Sequence, residues 1–396
     1  MRSQYEYYKN AFEGEELPFA FIDLDLFDKN VQDILPRAGQ KKIRIASKSM
    51  RSVALMRRVL DAHEQYQGIM CYTAPEAVWL SEEGFDDLLV AYPTFQKKHI
   101  EAVAQQLQKG KQIYLMVDRV EHLDRINAIG EAMNTRILVC LDMDMSSKFI
   151  GIHFGVHRSS VNDLASTQKF VQKLKTCQYV KLVAAMGYEA QIAGLGDNVK
   201  GKGMMNMIIK KLKKSSIKEV AKRRAAIVEL LTNEIGTMKI INGGGTGSLE
   251  TTREEDVVTE VTVGSGFYSP TLFDSYTNFK HSPAAGFAIE IVRQPSEHIY
   301  TCLGGGYVAS GAAGVDKVPQ PYLPYGCKLD KNEMAGEVQT PIHYTSSYPI
   351  HIGDPIFMRH SKAGELCERF RELLLLQNGS IVGRVSTYRG DGQCFL

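Results

Sequence analysis

Eight short β-forming apolar runs, separated by amphipathic stretches, limit what this chain can fold into. They are IRIAS (43–47), GIMCYT (68–73), DLLVAYP (87–93), IYLMVD (113–118), RILVCLDM (136–143), LVAAMGY (182–188), KIINGG (239–244) and EVTVGSG (260–266). Between them lie segments such as SVALMRRVLDAHEQY and PEAVWLSEEGF, whose apolar residues recur at helical spacing. Near-continuous apolar runs alternating with helices are the mark of parallel strands covered on both faces. Eight such units over roughly 230 residues match the count and size of a (β/α)8 TIM-type barrel. A doubly wound open sheet also alternates, but eight units favour closure.

After about residue 275 the texture changes. Glycine, proline and β-formers dominate, as in IYTCLGGGYVASGAAG and YPIHIGDPIFMRH, and helical periodicity persists only around AGELCERFRELLLL. The ending LLLLQNGSIVGRVSTYRGDG reads as a hairpin turning at Asn378–Gly379. The expected organisation is a barrel over 18–275 and a C-terminal, mainly β domain over 276–396 joined by residues 1–17. The segment LPFAFIDLDLFDKNV crosses from the β domain into the barrel.

Composition narrows the function classes. Apolar content of 44% and charged content of 23% are those of a soluble globular protein, and a net charge of +2 does not point to nucleic acid. The polar start MRSQYEYYKNAFEGEE lacks a signal-peptide core, and no apolar run approaches the ~18 residues of a membrane span. Seven cysteines without a CxxC pair fit reduced thiols in a cytoplasmic protein. From Lys200 to Arg224, ten Lys or Arg stand against one Glu. That segment reads as a solvated helix face or, because it follows the sixth strand, as a lid. No aromatic residues interleave to suggest nucleic-acid binding.

In such a barrel, chemistry gathers at the C-terminal strand ends, with phosphate held after strands seven and eight. There the sequence has NGGGTGS (Asn242 to Ser248) and GSGFY (Gly264 to Tyr268). Glycines let backbone N–H groups approach an anion closely. Lys48, in IRIASKSMRS, ends the first strand between two serines. Arg158, in GIHFGVHRSSV, follows the fifth, and Tyr188, in MGYEAQIAG, ends the sixth. A lysine facing phosphate loops suggests a Schiff base with pyridoxal 5'-phosphate, with a class I aldolase lysine as the rival.

LPFAFIDLDLFDKNV, IRIASKSMRS, VHRSSV, MGYEAQ, GGGTGS and VGSGFY together resemble the motif series of fold-type III pyridoxal-phosphate enzymes, the alanine racemase-like barrels. GDPIFMRHSKAGELCERF continues the series into the β domain. The likeness is to the D-threonine aldolase and D-serine dehydratase branch, in particular the bacterial amino acid deaminase/aldolase type. The resemblance implies that Lys48 carries the cofactor and that Arg158 and Tyr188 contact its ring or the lysine. It implies that Gly244, Gly245, Thr246, Gly264 and Ser265 hold the phosphate. It further implies a homodimer with a shared active site and a small amino-acid substrate.

Two residues depart from that pattern. The branch holds a divalent metal on a histidine and, two positions on, an aspartate or cysteine. Here RHSKAG keeps His360 but places Lys362 second. A protonated ammonium has no lone pair to ligate with. Either the metal finds Glu365 or Cys367, or no metal is present and Lys362 supplies the positive charge and proton beside the substrate's β-oxygen. The other departure is Gln191, where D-threonine aldolases carry a histidine suited to deprotonate the β-hydroxyl. Glutamine cannot take that proton.

The expected function is thus a pyridoxal-phosphate lyase acting on β-hydroxy D-amino acids, by aldol cleavage or by dehydration and deamination. Lys48, Tyr188, His360 and Lys362 are the candidate catalytic residues. An alanine racemase-type activity is the alternative, although no second base is identifiable in the β domain. A non-catalytic cofactor carrier is another, although such carriers resemble the barrel alone.

Overall fold

The first strand, β1 (Phe19–Asp23), stays outside the barrel. In this computed structural model, which describes residues 3–149, 151–312, 314–362 and 364–396, the chain divides into two compact units. One comprises Leu35–Lys48, Met56–Gly264 and Phe395–Leu396; the other comprises Met1–Ile34, Ser49–Leu55 and Ser265–Cys394.

The barrel unit is closed. Its parallel strands are β2 (Lys42–Ala46), β3 (Tyr66–Cys71), β4 (Leu88–Val90), β5 (Ile113–Val117), β6 (Ile137–Asp142), β9 (Val180–Gly187), β10 (Ile240–Gly243) and β11 (Glu260–Val263). They neighbour one another in chain order, and β11 pairs β2 to complete the circle. Each of the eight apolar runs supplies one strand. A small hairpin, β7 (Ser147–Phe149) and β8 (Ile152–Phe154), follows β6. The helices are α3 (Val53–Ala62), α4 (Ala74–Glu82), α5 (Lys97–Gln108), α6 (Val120–Ala132), α7 (Leu164–Leu174), α8 (Ala190–Ala193), α9 (Gly203–Ile235) and α10 (Leu249–Thr252).

Leu89, Tyr114, Met116, Cys140, Ala184, Met186 and Ile240 form one buried core cluster drawn from five strands. Charge is buried as well. Arg44 on β2 is fully buried, its Nε 2.6 Å from Glu260 Oε1 on β11 and its Nη2 3.1 Å from Asp87 Oδ1. Burial works against the guanidinium charge, and Glu260 and Asp87 more than offset it. Asn242 on β10 donates to the same Glu260, so the network spans three adjacent strands.

Helix α9 has 33 residues, about 50 Å at 1.5 Å per residue. Lys213, Ser216, Val220, Arg224, Ile227, Val228 and Leu231 make its buried stripe. Burial of Ile227, Val228 and Leu231 contributes roughly 1.5–3 kcal/mol each. Lys210, Lys211, Lys214, Lys218 and Lys222 are exposed, as a solvated face requires. Lys213 and Arg224 are not: both are buried, and Lys213 lies 3.7 Å from Asp197.

The second unit centres on a nine-stranded sheet. Its main order is β15 (Cys327–Leu329), β16 (Gln339–Tyr344), β13 (Ile299–Leu303), β12 (Ala285–Ser296), β1, β18 (Glu372–Gln377) and β19 (Ser380–Ser386). β17 (Pro355–Arg359) pairs with β12, and β14 (Gln320–Leu323) pairs with β17. α1 (Gln4–Ala11) opens with a capping box between Ser3 and Glu6, and Tyr8 packs its ring against Phe12, Phe21 and Phe357. α2 (Leu24–Ala38) leads the chain towards the barrel, and α11 (Ser265–Tyr268) follows its last strand. β18 and β19 form the expected hairpin, with φ of 50° at Asn378 and 78° at Gly379, as a type I′ turn needs. The helical periodicity around AGELCERFRELLLL does not persist. Glu365–Glu368 is a single 3-10 turn and 372–377 is β18, because Leu373, Leu374 and Leu376 are buried within the sheet unit. Among the described residues no helix is long and apolar enough to cross a membrane, and no disulfide joins the cysteines.

Candidate active site

Lys48 sits in a 3-10 turn, Ser47–Ser49, where β2 ends. Ser47 is fully buried and donates from Oγ to Met70 O at 3.0 Å, which pins the turn to β3. Ser49 is buried too, so Lys48 is the one exposed side chain of the three. It lines a cavity of about 470 Å³ with Tyr72 and Thr73 from the loop after β3, and Tyr92, Thr94 and His99 from the next loop and helix. Phe395 closes one side of this cavity and packs on Tyr72 and Trp79. A Lys at this strand end places an amine at an opening.

The next members follow through contacts. Arg158 lies 5.0 Å from the Tyr92 ring centre and 5.9 Å from that of Tyr188. Its Nε donates to Asp142 Oδ2 at 2.7 Å and its Nη2 to Ala91 O at 2.8 Å. Asp142 ends β6 and is 1% exposed. Burial pushes its carboxyl up to about 6, against the opposing pull of Arg158, so it is ionised at neutral pH. Burial and the neighbouring Glu189 raise the Tyr188 phenol to about 12.

Tyr188 follows β9 and meets the glycine loop after β10. A Cβ on Gly245 would stand 3.1 Å from Tyr188 Cε2 and 3.0 Å from Ala193 Cβ, so glycine lets that backbone lie against the ring. Gly244 has φ of +77°. Its N–H donates to Glu189 Oε2 at 3.2 Å, and the Gly245 N–H donates to Ser248 Oγ at 3.1 Å. Thr246 is buried, and its carbonyl accepts from Arg37 Nη2 at 2.6 Å. Gly264 follows β11. Lys48, Tyr92, Arg158, Tyr188 and Gly245 thus form one connected series at the C-terminal ends of the strands.

The remaining candidates belong to the sheet unit. Ser265 starts α11, its Oγ 3.4 Å from that of Ser49. His360 follows β17, is 2% exposed, and has no hydrogen-bond partner on either ring nitrogen among the described residues. Burial, helped by Arg359, lowers its pKa to about 3, so its ring is neutral. Lys362 donates to Ser310 Oγ at 3.2 Å, and Ser310 N donates to Glu365 Oε1 at 2.9 Å. Cys367 is buried, donates from Sγ to Met50 O at 3.3 Å, and is pushed up to about 12 by burial. Among the described residues no three His, Cys, Asp or Glu side chains come together as metal ligands. Lys362 offers no lone pair while protonated, whereas His360 Nδ1 and Nε2 and Glu365 Oε2 are buried without a hydrogen-bond partner among the described residues.

The profile of the family described as alanine racemase, N-terminal domain, matches residues 22–270. The chain belongs to that family. A search of curated proteins finds none that matches. Among solved structures, this alanine racemase-like chain is similar to D-threonine aldolase from Filomicrobium marinum, with a TM-score of 0.79 at 17% identity, over 95% of each chain. It is similar to D-threo-3-hydroxyaspartate dehydratase from Delftia sp. HT23, with a TM-score of 0.74 at 17% identity, over 94% of this chain and 98% of that one. An alanine racemase of Clostridium difficile 630 aligns with a TM-score of 0.65 at 15% identity, over 94% and 99%. At these identities the likeness is one of fold.

Alanine racemase-like folds use pyridoxal phosphate. The barrel residues fit it: an exposed amine at a cavity, an arginine fixed by a buried carboxylate beside two tyrosine rings, and a loop whose glycine a Cβ would push off Tyr188. Of the residues this racemase-like barrel adds to the site, Tyr92, Asp142, Glu189 and Arg224 were not singled out from sequence. Glu189, next to Tyr188 in MGYEAQ, had a positional signal; Arg224 was hidden among solvated cations.

Proposed function

We propose that this chain is a pyridoxal-phosphate-dependent lyase acting on β-hydroxy D-amino acids. The observation that carries the reading is the exposed Lys48 amine at the cavity, linked through Tyr92 to the Arg158–Asp142 pair and Tyr188. When bound, the cofactor supplies an electron sink for a carbanion at the substrate's Cα. Lys48 holds the cofactor and is the base that takes the Cα proton. Arg158, held by Asp142 and Ala91 O, presents a fixed cation to the ring. Tyr188, packed against Gly245, would contact the ring, and Gly244, Gly245, Thr246, Gly264 and Ser265 would hold the phosphate. Lys362 is a cationic proton donor for a leaving β-hydroxyl, with neutral His360 beside it in sequence.

Dehydration to a 2-oxo acid and ammonia is favoured over aldol cleavage. Gln191 is buried and donates from Nε2 to Met145 O at 2.6 Å and to Ser216 Oγ at 2.9 Å. It is a packed amide that takes no proton from a β-hydroxyl. The D configuration is drawn from the fold relatives, a homodimer with a shared site from the motif resemblance, and a reducing cytoplasmic setting from the unbridged cysteines.

The test joins a spectrum to a substrate panel. Purified protein should show yellow absorbance that borohydride abolishes and Lys48→Ala lacks. Product analysis should give 2-oxo acid and ammonia from β-hydroxy D-amino acids such as D-serine, and none from D-alanine, which has no β-hydroxyl to lose. Racemised D-alanine with no elimination would establish the racemase instead. A protein that gains no absorbance on adding pyridoxal phosphate would sink the reading.

A further inference from the structure

Glu189 follows Tyr188, is 1% exposed, and has no role in the function just proposed. Its carboxylate accepts four hydrogen bonds. Oε2 takes Gly244 N–H at 3.2 Å and Arg224 Nη2 at 2.7 Å; Oε1 takes Ser248 Oγ at 2.8 Å and Thr252 Oγ1 at 2.5 Å. Three of the four donors belong to the loop and short helix after β10. The carboxylate therefore gathers that loop from within.

Arg224 completes the arrangement from α9. It is fully buried, its Nη2 also donates to Gly187 O at 2.8 Å, and its Nη1 pairs with Glu255. Two glycines make room for it: a Cβ on Gly187 would lie 3.2 Å from Arg224 Nε, and one on Gly243 would lie 3.3 Å from Arg224 Cζ. The three consecutive glycines of NGGGTGS thus have separate duties. Gly243 clears Arg224, Gly244 takes the positive φ while donating to Glu189, and Gly245 clears Tyr188.

A bare carboxylate behind an anion-binding loop would repel the anion. Paired with Arg224 it shapes the loop at much lower electrostatic cost. We propose that Glu189 and Arg224 are positioning residues: Glu189 sets the loop 243–248 for the cofactor's phosphate, and Arg224 neutralises it. The proposal rests on the cofactor reading above. Its prediction concerns the phosphate alone, since neither residue is assigned to the ring.

The experiment compares affinities of the stripped protein for pyridoxal phosphate and for pyridoxal, which lacks the phosphate. Glu189→Gln keeps the shape but turns an amide N–H₂ towards groups that are all donors. It should weaken pyridoxal phosphate about tenfold or more and leave pyridoxal within about twofold. Glu189→Asp should recover part of the loss. Thr252→Val, which removes one donor at little change of shape, should show a smaller selective loss and carries the test if Glu189→Gln does not fold. A wild-type preference for the phosphorylated ligand that both variants keep in full overturns the proposal, as does an equal loss for both ligands. Wild-type protein that binds the two equally overturns the cofactor reading instead.

Discussion

The guanidinium of Arg158 lies 2.7 Å from the buried carboxylate of Asp142, and 5.0 and 5.9 Å from the ring centres of Tyr92 and Tyr188. An arginine held by a carboxylate, a carbonyl and two rings is a fixed cation rather than a mobile one. Arg158→Leu should leave Asp142 buried and unpaired, with a loss of about 3–5 kcal/mol in stability and of cofactor absorbance. Denaturant titration and an absorbance scan measure the two effects on one sample.

Asp142 also gives a pH signature. Burial raises its folded pKa from the ordinary 3.8 of an aspartate to about 6. A raised carboxyl stabilises the fold when protonated, so its contribution is complete below about pH 4 and fades as pH rises through 6. The free energy of unfolding of wild type, relative to Asp142→Asn, should fall by up to about 3 kcal/mol across that window. A flat difference between pH 4 and 6.5 would remove the basis for this assignment.

Arg44 tests the barrel's interior. Its removal in Arg44→Met strands Glu260 in the core and frees Asp87, at an expected cost of about 3–5 kcal/mol. The double change Arg44→Met with Glu260→Met should be less destabilising than the single one, because the only carboxylate left behind is Asp87, which is partly exposed. Urea unfolding of both variants makes the comparison.

At the glycine loop, Gly245→Ala forces a Cβ to 3.1 Å from Tyr188 Cε2. Overpacking of this kind costs about 1–3 kcal/mol. Cofactor affinity and thermal stability should both fall, since the same Cβ also meets Ala193 Cβ at 3.0 Å.

Metal removal separates the two readings of His360 and Lys362. With Cys367 donating to Met50 O and Lys362 donating to Ser310 Oγ, dialysis against EDTA should leave activity unchanged. Stoichiometric, tightly held zinc or manganese in purified protein would overturn the role given to Lys362. Lys362→Met should lower elimination while sparing the cofactor's absorbance.

How much of this was legible beforehand depends on how local each signal is. The eight barrel strands were readable because a parallel strand covered on both faces is a continuous apolar run. The Asn378–Gly379 hairpin was readable because its turn requires positive φ at both positions. The positions of Lys48 and Tyr188 just after barrel strands were readable from the apolar runs that precede them. The stretch 365–377 misled, since four consecutive leucines suit a helix or a buried strand, and only partners in the sheet decide between them.

The sequence by itself therefore determined the strand–helix alternation, the turn chemistry and the residues at the mouth of the barrel. Tertiary structure alone decided which charges are buried. Arg44 meets Glu260 from 216 positions away, and Arg224, one cation among ten, turns inward to Glu189. Whether a charge is solvated or held in the core depends on a partner brought to it by folding, and the pattern around it along the chain carries no record of that partner.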